Sequence, residues 1–148
     1  MSYQERRSLV SLISTLAITG AYTAYMLQRY PDAGAYSPEV FRFWGLFFIV
    51  LIPVSIIARV IIHILFSILN TIATQEAEPS ITDERDRLIE LKASRNALYA
   101  FSLGVVLAMG ALVIELPPSA MFILVIAAGV ASEIIDSLSQ FFFYRRGF

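Results

Sequence analysis

Thr82–Asn96, TDERDRLIELKASRN, is the only long run of charge in this 148-residue chain, and two long apolar segments lie on either side of it. A helix needs roughly 20 predominantly apolar residues to cross the ~30 Å hydrocarbon core of a bilayer. The blocks before and after the charged run meet that length. The run therefore reads as the link between two membrane-spanning hairpins. The expected fold is all-α: a four-transmembrane-helix bundle, two helical hairpins joined by a charged cytoplasmic helical loop. It forms a single integral membrane domain over residues 1–148, with spans at about 8–27, 41–66, 97–115 and 119–143 and the loop at about 71–96.

Composition supports this. Hydrophobic residues make up 57% and charged residues 16%, against about half and a quarter in soluble domains. The net charge of −1 supplies no basic field for nucleic acid. With no cysteine, disulfides, thiolate metal sites and cysteine nucleophiles are excluded. No A-x-A-like cleavage site follows Leu9–Ile18, so a retained first span is expected rather than a cleaved signal peptide.

Along the first span, Ser8, Ser11, Thr15, Thr19 and Tyr22 recur every three or four residues, a stripe suited to face another helix. Pro31-Asp32-Ala33-Gly34 signals a turn, and Ser37-Pro38-Glu39 signals a helix start. The second block carries Trp44, which suits an interfacial anchor, and Pro53, which removes a backbone donor. Glu76–Pro79 breaks that helix, and Asp83 and Arg87 then form an i,i+4 pair in the favoured order. Ala97, Gly104, Ala108 and Ala111 give the third span a small-residue face for close helix approach. Glu115-Leu116-Pro117-Pro118 is a short turn, making the third and fourth spans antiparallel neighbours.

Arg6, Arg7, Arg85, Arg87, Lys92, Arg95, Arg145 and Arg146 fall on one side of the predicted spans, while Arg29 and Arg42 fall on the other. The positive-inside rule then expects both termini and the central loop in the cytoplasm, N-in and C-in.

Inside the spans lie charged groups that are costly in lipid unless paired or hydrated. Gly129, Glu133, Asp136 and Gln140 share one face of the fourth helix, and Ser55, Arg59, His63 and Asn70 share one face of the second. Arg59 follows Trp44 by 15 residues, while Glu133 and Asp136 follow Ala120 by 13 and 16. At 1.5 Å per residue they lie at similar depth, about 20–25 Å from the outer edge. Arg59 is expected to contact Glu133 or Asp136, with His63 and Gln140 extending the network. One arginine for two acids leaves a surplus negative charge, so either His63 is protonated or one carboxyl holds a proton. The network reads first as a structural clamp and second as a proton or ion relay. One histidine with two remote acids is a poor metal signal, and no metal or cofactor is expected.

The loop side chains Asp83, Glu84, Arg85, Arg87, Lys92 and Arg95 interleave opposite charges, the pattern of a solvated face open to a protein partner. Asp83 through Asn96, followed by two spans and Tyr144-Arg145-Arg146-Gly147, resembles a group of small, uncharacterised bacterial inner-membrane proteins of the domain-of-unknown-function kind. These carry a D-E-R…I…K-A loop between helical hairpins. The resemblance covers mainly residues 82–148; the first two spans match only in hydropathy. It implies a bacterial inner-membrane protein in a regulatory or stress-response setting, and no reaction.

The chain holds no G-x-S-x-G, no phosphate-cradling glycine loop and no H-E-x-x-H, so no catalytic residues are assigned. The expected function is that of a non-enzymatic integral membrane protein acting through protein contacts, in a regulatory, immunity or assembly role. The alternative is a small proton- or ion-coupled transporter or channel subunit using Glu133 or Asp136. Expected partners are the lipid bilayer, a second copy of the chain and a protein at the cytoplasmic loop.

Overall fold

The computed structural model describes residues 3–74 and 84–146. It contains four helices: α1 Tyr3–Leu27, α2 Pro38–Thr74, α3 Glu84–Val113 and α4 Pro118–Arg146. Each is long and apolar enough to cross a membrane. They run alternately up and down as a four-helix bundle. One end carries the α1–α2 and α3–α4 turns, and the other carries the start of α1 and the end of α4.

Local sequence fixes the helix ends. Ser37 caps α2: its hydroxyl accepts the Val40 N–H at 3.4 Å, and its carbonyl accepts the same N–H at 3.2 Å. Pro38 occupies the first helical position, where its missing N–H costs nothing. The helix then continues through Pro53 to Thr74. α3 closes in a Schellman arrangement, with Leu116 N bonded to Ala111 O at 3.0 Å and Glu115 N to Leu112 O at 3.1 Å. The left-handed residue this motif requires is Glu115, at φ 61°, where glycine is usual.

α1 begins at Tyr3 and α3 at Glu84, so both helices run on beyond the expected spans at about 8–27 and 97–115, and the described part of the helical loop expected over 71–96 is continuous with α3. Helix formers run without a breaker from Glu84 into the apolar part of α3, and propagation is favourable once a helix exists. The Glu76–Pro79 break and the Asp83–Arg87 pair lie outside the described residues.

The helices pack unequally. α3 lies along α4 over most of its length; α1 contacts α4 and α2; α2 meets α4 at few points; the backbones of α2 and α3 stay more than 8 Å apart, Cα to Cα. The α3–α4 seam is made of small residues, with Ala93, Ala97, Ala108, Ala111 and Ala128 all buried. A Cβ on Gly104 would overlap the Ala128 methyl. Without a hydrophobic drive between helices in lipid, such close approach supplies the packing energy.

At the turn end, Val40, Phe43, Trp44 and Phe47 form a buried cluster that Tyr22, Met26 and Phe122 cover. Trp44 is 1% exposed, its ring stacked on Phe122 at 5.4 Å and its Nε1–H donated to Ser119 Oγ at 3.2 Å. This corrects the expected interfacial anchor. Trp44 lies near the end of the bundle, but its ring joins α2 to α4 inside the protein. The α1 stripe also faces inward: Ser8 and Thr15 are buried, and the Tyr22 hydroxyl donates to Phe47 O at 2.9 Å.

Candidate functional site

Below the aromatic cluster the interior becomes polar. α2 brings Arg59 to α4, and Arg59 Nη1 lies 2.8 Å from Glu133 Oε2. The side chains stay 30% and 36% exposed. Both helices are continuous here, so the pair is held by rigid elements, and the long arginine spans a gap that α2 and α4 do not close by packing. The pair uses one N–H and one carboxylate oxygen; Arg59 Nε is buried without a partner.

Asp136 lies three residues further along α4 and does not share Arg59. Its Oδ2 accepts Gln140 Nε2 at 3.0 Å, and its Oδ1 is buried with no hydrogen-bond partner. Glu133 and Ser94 and Glu90 of α3 also face it. The two acids that share a face in a helical projection thus take different neighbours: Glu133 meets α2, and Asp136 meets α3.

One turn deeper, a small polar cavity of about 140 Å³ gathers all four helices. Arg7, Ser8 and Ser11 of α1, His63 of α2, Glu90 of α3 and Gln140 of α4 line it. His63 and Gln140 both line this cavity. Beyond it, Tyr144 faces Asp86, Glu90 and Arg7, and Arg6 Nη1 donates to Asn70 Oδ1 at 3.0 Å. Polar groups therefore run from Arg59 to the terminal end, while the opposite half of the bundle is filled by aromatic rings. Among the described residues, no three His, Asp or Glu side chains converge on a metal-sized site.

Glu84, Arg85, Arg87 and Arg95 are exposed on α3 and Lys92 is half-buried; Asp83 lies outside the described residues. Beside them, Ile89 is fully buried, whereas Leu88 and Leu91 are 49% and 68% exposed.

Glu90, Ser94, Arg7 and Ser11 were not singled out as site residues from the sequence. The signal for the α3 pair was the turn. In an antiparallel helical hairpin, residues at distances from the turn that agree to within about one or two helical turns face each other. Gly104 meets Ala128, Asn96 donates to Ser139 Oγ at 3.3 Å, and Asp86 meets Tyr144. The same register brings Glu90 and Ser94 to Gln140 and Asp136.

Four helices long and apolar enough to cross a membrane make this a multi-pass membrane protein. No protein-family model, curated protein or solved structure matches the chain.

Proposed function

We propose that the protein is a non-enzymatic multi-pass protein of a bacterial inner membrane that acts through protein contacts, in a regulatory, immunity or assembly role. The observation that carries this reading is the first third of α3. At 30 residues α3 is about 45 Å long against a hydrocarbon core of ~30 Å, so about ten residues project into water. There Leu88 and Leu91 stand 49% and 68% exposed on the face that carries Glu84 and Arg95, with Arg87 beside it. An apolar pair at i and i+3, framed by charge, is how a helix presents anchors to a protein groove. Ile89, fully buried, ties the same helix to α4.

The basic residues at this end support a cytoplasmic location for it, with both termini on the same side. The bacterial setting rests on the likeness of Asp83–Asn96 to small inner-membrane proteins. A second copy of the chain and a separate protein are both suitable partners for the leucine face.

A photoreactive side chain placed at Leu91 in native membranes tests the reading, with Leu103, exposed within the apolar part of α3, as the control. One discrete protein adduct is expected from position 91, removed by Leu88→Ser or Arg87→Glu. No adduct at 91, or the same adduct at 103, would defeat it.

A second reading, a proton- or ion-coupled transporter or channel subunit, is favoured by Asp136. It is a second acid with a buried, unpartnered oxygen, in line with polar groups leading to one end of the bundle. Flux into liposomes that is insensitive to Asp136→Asn and Glu133→Gln would remove this reading.

A further inference from the structure

The space between α2 and α3 has no role in the protein-contact reading, and of the second reading's acids only Glu133 borders it. It holds a cavity of about 420 Å³, backed by α4 and by Thr15 and Thr19 of α1. That volume falls within the ~300–1,000 Å³ of small-molecule sites. Because the backbones of α2 and α3 stay more than 8 Å apart, the cavity opens between them, on the side that faces lipid when the four helices span a membrane.

The walls change character along the cavity. Phe48, Ile52 and Ile56 of α2, Phe101 of α3 and Val125 of α4 make an apolar length, and Arg59 with Glu133 closes its far end. From Phe48 to Arg59 the helix rises roughly 16 Å. Gly129 opens on the cavity, and a Cβ there would meet nothing within 4 Å. The ion pair, about a third exposed, faces this space with unused N–H groups on Arg59 and an unused oxygen on Glu133. At such depth an unsolvated charged pair is costly. An occupant that satisfies these groups is therefore favoured over hydrocarbon alone.

We propose that this cavity binds a single-chain membrane amphiphile whose small, uncharged polar end, a hydroxyl or carbonyl, hydrogen-bonds Arg59 and Glu133. Its chain lies along α2 and α4 toward Phe48. The end group is uncharged because Glu133 already neutralises Arg59, and a phosphate or carboxylate would bring an unpaired charge into the bilayer. The ligand enters sideways through the α2–α3 gap, so no headgroup crosses the hydrocarbon. Hydroxyl- and carbonyl-ended lipids and prenyl-type quinones share this chemistry.

The test is photolabelling of the full chain in dioleoylphosphatidylcholine vesicles with a diazirine-tagged dodecanol. Adducts should fall on the cavity-lining parts of α2 and α4 and be displaced by monolaurin or decylubiquinone. The stronger competitor of the two identifies the source. Dodecyl phosphate should compete about tenfold less well. Gly129→Phe fills the cavity from inside, and Ile52→Trp fills it from a position already 60% exposed to lipid. Each should cut labelling about tenfold, and Ile52→Trp should do so without moving the unfolding midpoint. Labelling spread evenly over the lipid-facing surface would overturn the proposal. So would labelling unaffected by both fillings, or equal competition by dodecyl phosphate.

Discussion

Exchanging one methyl group between α3 and α4 tests whether the small-residue seam holds the second hairpin together. A methyl on Gly104 would land on the Ala128 methyl and 3.1 Å from the Ala128 Cα. Neither atom can turn aside, since one is backbone and the other is a Cβ fixed to it. In water, Gly→Ala within a helix would recover about 0.5–1 kcal/mol of backbone entropy. In a bilayer the separated state keeps its helices, because exposed backbone groups are too costly there. That gain largely disappears, and overpacking at about 1–3 kcal/mol dominates. Gly104→Ala should therefore cost about 1–2 kcal/mol, and Ala128→Gly about 1 kcal/mol for a methyl-sized void. The double variant puts the methyl on α3 in the space vacated on α4, and should return within about 0.5 kcal/mol of the native protein. Reversible unfolding in mixed micelles, followed by far-UV circular dichroism, measures all three. An unchanged midpoint for Gly104→Ala, or a double variant weaker than either single one, would refute this account of the seam.

Three further outcomes follow from other contacts. Arg59→Met leaves Glu133 unpaired and should destabilise by about 2–3 kcal/mol, while Arg59→Met with Glu133→Gln should cost less than the single change; additive losses in the same titration would deny the coupling. Glu115→Gly relieves a left-handed residue at the α3 cap and should stabilise by about 0.5–1 kcal/mol; a lower midpoint would contradict the Schellman closure. Ser119→Ala removes the hydroxyl that accepts Trp44 Nε1–H and meets the Tyr30 hydroxyl at 2.8 Å, costing about 1–2 kcal/mol. Because Trp44 is the only tryptophan, its emission should shift cleanly; an unchanged spectrum would show that the contact does not form.

The four helices were legible because lipid demands continuous apolar runs, and that demand leaves a coarse mark on the sequence. The α2 cap was legible too, since Ser37-Pro38 carries its own hydrogen-bond chemistry. Trp44 was misread for a physical reason: an aromatic near a helix end satisfies both an interfacial anchor and a buried helix–helix contact. Only the position of Phe122 and Ser119 on α4 decides between them. The helical character of the charged run before α3 was legible from its helix-forming residues, although hydropathy alone marks it as a loop. At the polar groups, depth was readable by counting residues along each helix, but partners were not. Glu133 and Asp136 differ by about 60° around α4, enough for one to meet α2 and the other α3.

The uneven packing that creates the lateral cavity follows from side-chain size. α3 offers Ala93, Ala97, Gly104, Ala108 and Ala111 to α4, and α4 answers with Ala128, so these backbones approach closely along their length. Between Leu46 and Leu69, α2 carries mostly Ile, Leu, Val and Phe, with few small residues to form a comparable seam. In lipid, large apolar side chains gain as much from acyl chains as from another helix, so nothing draws α2 onto α3. α2 is instead held at separated points: the Trp44 cluster at one end, Arg59–Glu133 in the middle, and Arg6–Asn70 with the Tyr3–Phe66 ring contact at the other. Between the first two anchors the helix has no close neighbour on its α3 side, and that interval is where the cavity lies. The ion pair thus has two consequences: it fixes the depth at which α2 meets α4, and it puts a hydrogen-bonding floor under an otherwise apolar space.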